Sequence, residues 1–249
     1  MIRLSVNINK VATLRNSRGG REPRVLAAVE ACLGAGVAGI TVHPRADRRH
    51  ITPDDVRDIA RALEGKRPSV EFNIEGDPRP EFVQLVQDVV PDQCTLVPVA
   101  PGEITSQAGW TPGAETDRLP AIIADFRRRG IRVSLFVDPE DAAIRLAQNL
   151  GADRVELYTE PFARAFEQGS ESAARSFDGY QRAALLAHSL GLGVNAGHDL
   201  DLANLVLFRN LAYLDEVSIG HAIVSKALFV GLDMVLREYL AVLRPAAHS

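Results

Sequence analysis

Short β-rich runs alternate with amphipathic stretches along the chain. The run LSVNIN (4–9) is followed by PRVLAAVEACLGAG (23–36), which has proline near its start, glycine at its end and apolar residues at helical spacing. The run GITVH (39–43) is followed by TPDDVRDIARALEG (52–65), where Thr52 is placed to cap a helix with acids in its first turn. The two pairs predict a strand–helix unit that repeats.

The same unit recurs six more times. The further predicted strands are SVEFNIE (69–75), QCTLVPV (93–99), IRVSLFVD (131–138), DRVELYTE (153–160), LGVNAGHD (192–199) and LDEVSIGHA (214–222). The predicted helices after them are 79–90, 117–130, 139–151, 177–191, 200–210 and 223–244. Pro120 indicates that the helix within 117–130 begins near that proline, because proline is tolerated in the first helical turn.

Eight strand–helix units without a composition break predict one α/β domain over residues 1–249. Strict alternation requires a parallel sheet with helices outside it, and eight units in this length match the (β/α)8, or TIM, barrel. An open, doubly wound sheet is the rival. It usually has fewer strands and a glycine-rich first turn, and INKVATLRN (8–16) after the first strand lacks that turn.

Composition narrows the class of function. The formal net charge is −4, with 46% hydrophobic and 24% charged residues, which argues against nucleic acid as a partner, since that needs a basic face. No apolar run approaches the roughly 20 residues of a membrane span. MIRLSVNINK (1–10) is too short and polar for a signal peptide, and Cys32 and Cys94 have no metal-type spacing. We expect a cytoplasmic protein with two buried thiols and no membrane contact.

Active sites of such barrels lie at the carboxyl ends of the strands, so polar residues there are the candidates. Four of the six histidines fall at or just after predicted strand ends: His43, His50, His198 and His221. One histidine there fits a structural role as well as a chemical one, but several at one rim favour proton transfer near neutral pH. The other candidates are Asn7, Asn9, Lys10, Arg15, Arg18, Arg45, Glu71, Asn73, Glu75, Glu103, Thr105, Ser106, Glu156 and Thr159.

Glu71, Asn73 and Glu75 alternate with apolar residues in the third strand. Alternate residues of a strand share a face, and helices cover the outside of a barrel, so we expect the polar set to point inward. A carboxylate inside a barrel is costly to ionise, which raises its pKa and suits general acid–base catalysis. The alternative for each glutamate is a structural ion pair with a nearby arginine.

Two groups of residues are suited to hold phosphate. NAGHDL and SIGHAI place Gly197 and Gly220 before histidines at the ends of strands 7 and 8, where barrels often bind phosphate. Arg45, Arg48, Arg49 and His50 supply positive charge after strand 2, although Arg48 and Arg49 are equally compatible with solvated charge. Two anion sites on opposite sides of one mouth predict two phosphorylated substrates or one bisphosphate. HExxH and HxH are absent, which disfavours a metal, although ligands from separate strands remain open.

Segments in order across nearly the whole chain resemble the pyridoxine 5′-phosphate synthase family. They are VNINKVATLRNSRG, GITVHPRADRRHI, VEFNIEG, LVPVAPGEIT, VSLFVD, VELYTE, VNAGHDL and IGHAIVSKAL. The resemblance implies a (β/α)8 barrel with extra helices that assembles as a homo-octamer. It also implies condensation of 1-deoxy-D-xylulose 5-phosphate with 3-amino-2-oxopropyl phosphate to give pyridoxine 5′-phosphate, phosphate and water, with no metal or organic cofactor.

The resemblance also implies roles for individual residues. Those for catalysis are His43 and Glu71 as proton acceptors, His198 as proton donor and Glu156 as support for the transition state. Those for deoxyxylulose phosphate are Arg45, His50 and Thr105. Those for the amino-ketone phosphate are Asn7, Arg18, Gly220 and His221. The long loop 99–117 is the candidate lid, because a closed mouth would protect reactive enamines from water.

Three binding candidates depart from the family pattern. The family often reads NIDH after strand 1, so Asn9 and Lys10 stand where an acid and a histidine contact the sugar phosphate. Asp199 follows His198 where glycine is frequent, and its carboxylate would repel phosphate unless it turns away. Two rival functions remain: a barrel lyase or isomerase acting on a single sugar phosphate, and a non-catalytic barrel that binds phosphorylated metabolites.

Overall fold

The chain folds into a closed barrel of eight parallel strands in a computed structural model that describes residues 1–67, 69–98 and 108–244. Each strand pairs with the next in sequence, and β8 closes the barrel against β1. The strands are β1 (Arg3–Asn7), β2 (Gly39–Val42), β3 (Glu71–Gly76), β4 (Gln93–Leu96), β5 (Arg132–Val137), β6 (Arg154–Leu157), β7 (Gly193–Ala196) and β8 (Leu214–Ile219). The predicted (β/α)8 barrel is confirmed.

Helices surround the strands and follow each of them in sequence. They are α1 (Asn9–Asn16), α2 (Val25–Ala35), α3 (Pro53–Leu63), α4 (Pro80–Val89), α5 (Ala114–Asp117), α6 (Leu119–Arg128), α7 (Asp141–Asn149), α8 (Glu160–Glu167), α9 (Ser170–Ser189), α10 (Leu202–Phe208), α11 (His221–Val230) and α12 (Leu232–Leu243). Within the described ranges, no helix has the length and apolar character to cross a bilayer.

Three regions differ in detail from the sequence-based expectation. Residues 9–16, for which the sequence predicted no helix and whose first residue it placed in strand 1, form the extra helix α1. The long final helix expected at 223–244 is two helices, because Gly231 adopts a left-handed φ of +87° that an α-helix cannot contain. The insertion after β6 is also helical, forming α8 and the first turns of α9. Helix α6 begins beside Pro120, as expected.

The two faces of each strand have different chemistry. Outward-facing side chains such as Leu4, Ile40 and Phe72 belong to the apolar core between the sheet and its helices. Inward-facing side chains are polar and bind one another, as the 3.4 Å hydrogen bond from Asn195 Nδ2 to Gln93 Oε1 shows by spanning the interior from β7 to β4. The polar-inward orientation predicted for β3 is confirmed, since Thr95 donates to Asn73 Oδ1 inside the barrel.

Candidate active site

A cavity of about 930 Å³ opens at the carboxyl ends of the strands. It brings together fourteen of the residues proposed from the sequence: Asn7, Asn9, Lys10, His43, Arg45, Arg49, His50, Glu75, Glu156, Gly197, His198, Asp199, Gly220 and His221. Phe136, Glu160 and Arg164 are among the others that line it. The strand ends therefore meet where the barrel architecture predicts a site.

His43 is fixed by a short chain of hydrogen bonds from the end of β1. The backbone N–H of Asn9 donates to Asn7 Oδ1 at 3.1 Å, and the backbone N–H of His43 donates to Asn9 Oδ1 at 2.9 Å. The side chain of Asn9, which we expected to contact the substrate, thus accepts a hydrogen bond from the backbone of His43. Lys10 lies on the first turn of α1 and faces the same cavity.

The imidazole of His43 is neutral at pH 7. Burial lowers its pKa well below the ordinary value, and the neighbouring groups His50, Arg45 and Arg79 lower it further. Its Nε2 is buried and has no hydrogen-bond partner among the described residues. A neutral ring with a free nitrogen can accept a proton.

Glu75 is the carboxylate nearest to His43. Its Oε2 lies 4.0 Å from His43 Nδ1 and accepts a hydrogen bond from Asn7 Nδ2 at 3.3 Å. Burial raises its pKa well above the ordinary value, and the nearby charges of Glu156 and Glu216 raise it further. A carboxylate with a raised pKa takes up a proton more readily than an ordinary glutamate, although the family resemblance implied a catalytic role for Glu71 rather than for Glu75.

Glu156 projects into the barrel below His198. Burial raises its pKa to about 7, against the opposing effect of His198, and its Oε2 has no hydrogen-bond partner among the described residues. A carboxyl group that titrates near neutrality can serve either as acid or as base. Its place in the cavity agrees with the site position expected from the sequence.

His198 lies on a tight turn directly after β7. At Gly197 a Cβ atom would stand 2.0 Å from the carbonyl oxygen of Ser218, so only glycine allows β7 and β8 to approach here. The rings of Tyr158 and Phe136 flank the imidazole, with centroids 5.5 and 6.4 Å away. These contacts give the ring one defined place at the rim.

Two loops supply the positions suited to phosphate. Gly220 and His221 lie at the amino terminus of α11, and a Cβ on Gly220 would stand 2.6 Å from the carbonyl oxygen of Asn7. After β2, Arg45 and His50 are both buried, and burial together with Arg45 lowers the pKa of His50 to about 4. β2 and β8 are both neighbours of β1, so the two loops flank that strand rather than facing each other as expected.

The loop after β2 is held by its surroundings. Asn16 Nδ2 donates to the carbonyl oxygen of His50 at 2.8 Å, and Arg79 donates to that of Pro44 at 2.7 Å. Arg49 pairs with Asp47 at 2.5 Å and lines the cavity, whereas Arg48 is exposed with a φ of +52°. Of the two undecided arginines, the structure brings only Arg49 to the site.

Glu71 requires a correction, because the structure does not bring it to the cavity. It is the first residue of β3, at the amino-terminal end of the barrel, and it forms ion pairs with Arg3 at 3.0 Å and with Arg132. Glu71 and Glu75 share the inward face of β3 but lie a full strand length apart. These contacts are the ion pairs that the structural alternative for Glu71 predicts.

Two further expected residues are Arg18 and Thr105. Arg18 is exposed beyond the end of α1 and does not line the cavity. Thr105 and residues 99–107 of the candidate lid lie outside the described residues. The site residues that the sequence missed come mainly from α8, where Glu160 and Arg164 pair at 2.9 Å at the rim. The only signal for them was the i,i+4 spacing of opposite charges.

Together these features define a TIM-barrel protein with a polar site for proton transfer on anionic compounds. Residues 4–245 match the family model described as pyridoxal phosphate biosynthesis protein PdxJ, and the chain belongs to that family. It is 50% identical to a pyridoxine 5′-phosphate synthase of Christiangramia forsetii and 51% identical to one of Cytophaga hutchinsonii. Both alignments cover 98% of this chain and 100% of the relative.

Solved structures with low sequence identity share the fold. A thiamine phosphate pyrophosphorylase from Pyrococcus furiosus superposes with a TM-score of 0.61 at 13% identity, over 97% of this chain and 95% of that one. A phosphoribosyl anthranilate isomerase from Thermus thermophilus gives 0.59 at 16% identity, over 97% and 98%. These similarities concern the barrel architecture alone.

Proposed function

We propose that this chain is a pyridoxine 5′-phosphate synthase. It would condense 1-deoxy-D-xylulose 5-phosphate with 3-amino-2-oxopropyl phosphate to give pyridoxine 5′-phosphate, phosphate and water, without a metal or organic cofactor. The observation that carries the proposal is a single cavity that joins His43, Glu75, Glu156 and His198 to two loops suited to phosphate. Relatives half identical over their whole length bear this name.

The reaction requires repeated proton transfer at one place. The amine of one substrate adds to the ketone of the other, water and phosphate leave, and the ring closes. His43 acts as proton acceptor, His198 as proton donor, and Glu156 supports charge in the transition state. Glu75 takes the role of second proton acceptor that the family resemblance implied for Glu71, because it is the β3 carboxylate that reaches His43.

Substrate binding and the basicity of His43 are coupled in this scheme. Arg45 is among the charges that lower the pKa of His43, and a phosphate held by Arg45 and His50 would neutralise that charge. Binding of the deoxyxylulose phosphate thus makes His43 a stronger base when its substrate is present. Asn7, Gly220 and His221 take the second phosphate, where backbone N–H groups at the start of α11 favour an anion.

The direct test is synthesis of pyridoxine 5′-phosphate from the two purified substrates. We expect product only when both are present and no turnover of deoxyxylulose phosphate alone. Turnover of the sugar phosphate without the amine would instead indicate a lyase or isomerase. No turnover of either substrate, with metabolite binding unchanged by His43→Ala, would indicate a non-catalytic binding barrel. Folded protein that gave no product from both substrates would refute the proposal.

We also propose a cytoplasmic homo-oligomer, with eight copies as the expected assembly. Four apolar side chains at the junction of α11 and α12 are exposed: Leu228, Phe229, Val230 and Met234. A contiguous apolar surface of this kind is typical of an interface between subunits. Native mass spectrometry gives the assembly size, and we expect Phe229→Glu to reduce it while Leu185→Glu, on the exposed surface of α9, does not.

A further inference from the structure

Asp199 stands directly against the imidazole of His198. Its Oδ2 lies 2.8 Å from His198 Nδ1. The turn that carries the pair is held from both sides, since Leu200 N–H donates to Gly197 O at 3.1 Å and Asn204 Nδ2 donates to Asp199 O at 3.1 Å. The hydroxyl of Thr159 donates to the carbonyl oxygen of His198 as well. The contact is therefore built into the backbone of the turn.

The backbone conformation of Asp199 singles it out. Its φ is +63°, in the left-handed region that glycine adopts at no cost and that Asp and Asn adopt more readily than other residues. A residue with a side chain pays a small conformational cost in the left-handed region. The contact that the Asp199 side chain makes is therefore a candidate for a functional role. Here the contact is with a proposed catalytic histidine.

We propose that Asp199 is the positioning residue of His198: its carboxylate engages Nδ1, so that Nε2 is the nitrogen left for the substrate, and its negative charge favours the protonated ring that a proton donor must have. The role of His198 as a proton donor rests on the proposed function, whereas the contact between Asp199 and His198 does not. It also accounts for an acidic side chain in a phosphate-binding mouth, because the carboxylate is turned to the imidazole.

The electrostatic surroundings agree with an ionised Asp199. Its close contact with His198 is the largest cause that keeps its pKa below the ordinary value, against the effect of partial burial. Other charged or titratable groups face the pair from each neighbouring element. They are Glu156 and Tyr158 at β6, Arg164 on α8 and His221 on α11, while Glu160 and Asp138 act on Tyr158 beside the pair. Among the described residues, Asp199 alone has an ion-pair contact with His198 Nδ1.

The test compares Asp199→Asn with wild type and with Glu171→Gln. Asparagine keeps the shape and tolerates the left-handed backbone, while Glu171 is a fully exposed acid on α9 that controls for loss of one negative charge. Histidine resonances are followed by NMR over pH, with that of His198 assigned through His198→Gln. The pH dependence of kcat is measured with both substrates.

In Asp199→Asn we expect the His198 titration midpoint to fall by roughly half to one pH unit, a modest change because both side chains are partly exposed. The high-pH limb of kcat should move down with it, while KM changes less than kcat. Glu171→Gln should change neither. An unchanged His198 titration would overturn the proposal, and so would a changed titration with an unchanged pH profile.

The two readouts separate this inference from the proposed function. If wild type made no product, the proposed function would fail, and with it the positioning role, whatever the NMR titration showed. If wild type were active and the titration did not respond to Asp199→Asn, only the inference would fail. Asp199→Gly is a second variant, and glycine adopts the left-handed backbone without strain. If the His198 titration changes in the same way in Asp199→Asn and Asp199→Gly, the change is due to loss of the carboxylate and not to the backbone.

Discussion

The two ends of the barrel interior use the same residue types for different purposes. At the amino-terminal end, Glu71 is enclosed by ion pairs with Arg3 and Arg132, and Arg132 Nε also donates to Gln93 Oε1 at 3.0 Å. At the carboxyl end, Glu75 is close to a neutral histidine and to other carboxylates, and burial raises its pKa. Partners of opposite charge surround Glu71, whereas burial and like charges raise the pKa of Glu75, and this difference is why we propose a structural role for the first and a chemical role for the second.

The largest expected effect separates the two glutamates by activity. We expect Glu75→Gln to lower kcat by about 10²–10⁴-fold, because it removes a proton acceptor beside His43 while keeping the shape of the side chain. Glu71→Gln should leave kcat within a few-fold of wild type. Steady-state kinetics with both substrates decide this. The reverse order of effects would restore the catalytic role to Glu71 and break the comparison.

The second effect is a loss of stability caused by a substitution at the amino-terminal end of the barrel. Glu71→Gln leaves two arginines without their shared carboxylate inside the barrel, which we expect to cost about 1–3 kcal/mol in the free energy of unfolding. The lower part of that range reflects the partial exposure of both arginines. Denaturant titration measures the change. Glu75→Gln, which breaks no close ion pair, should lose less stability than Glu71→Gln.

The smallest effect is a dependence of stability on pH. Glu216 lies in β8, and burial together with the charge of Glu71 raises its pKa to about 8. The folded protein therefore binds a proton that the unfolded chain releases near its ordinary pKa, so this group lowers stability as pH rises from about 4.5 to 8. Glu216→Gln should remove that loss.

Thermal unfolding at two pH values tests this point. We expect Glu216→Gln to match wild type near pH 5 and to unfold about 3–5 °C higher at pH 8.5, since the wild-type carboxyl has by then lost its proton. A variant less stable than wild type at pH 8.5 would mean that the ionised carboxylate is satisfied by its arginine neighbours. Glu216 would then belong with Glu71 as a structural residue.

The sequence was enough to predict the barrel and most of the cavity. Periodicity marked each strand, and the rule that strand ends meet at one rim placed His43, His198 and His221 together. It also placed the polar residues of β3 on the inward face. The sequence did not show how far along the barrel axis Glu71 and Glu75 lie. That position depends on where β3 begins and on its register with β2, in which Glu71 lies opposite Gly39.

Other differences have the same kind of cause. The helical state of residues 9–16 depends on how the chain leaves β1, and the role of Asn9 as a support for His43 follows from that path. The contribution of α8 to the rim depends on how an inserted helix folds back over the mouth. Such features are set by contacts distant in sequence, and local patterns carry little information about them.

The separation of each strand into a polar inward face and an apolar outward face has an evolutionary consequence. The apolar core depends on outward residues such as Leu4, Ile40 and Phe72, while the proposed chemistry depends on inward residues at the carboxyl end, such as Glu75 and Glu156. The two sets can diverge at different rates, because a change inside the barrel leaves the layer beneath the helices intact. A descendant lineage could therefore acquire a new substrate by exchanging interior residues while inheriting its architecture unchanged.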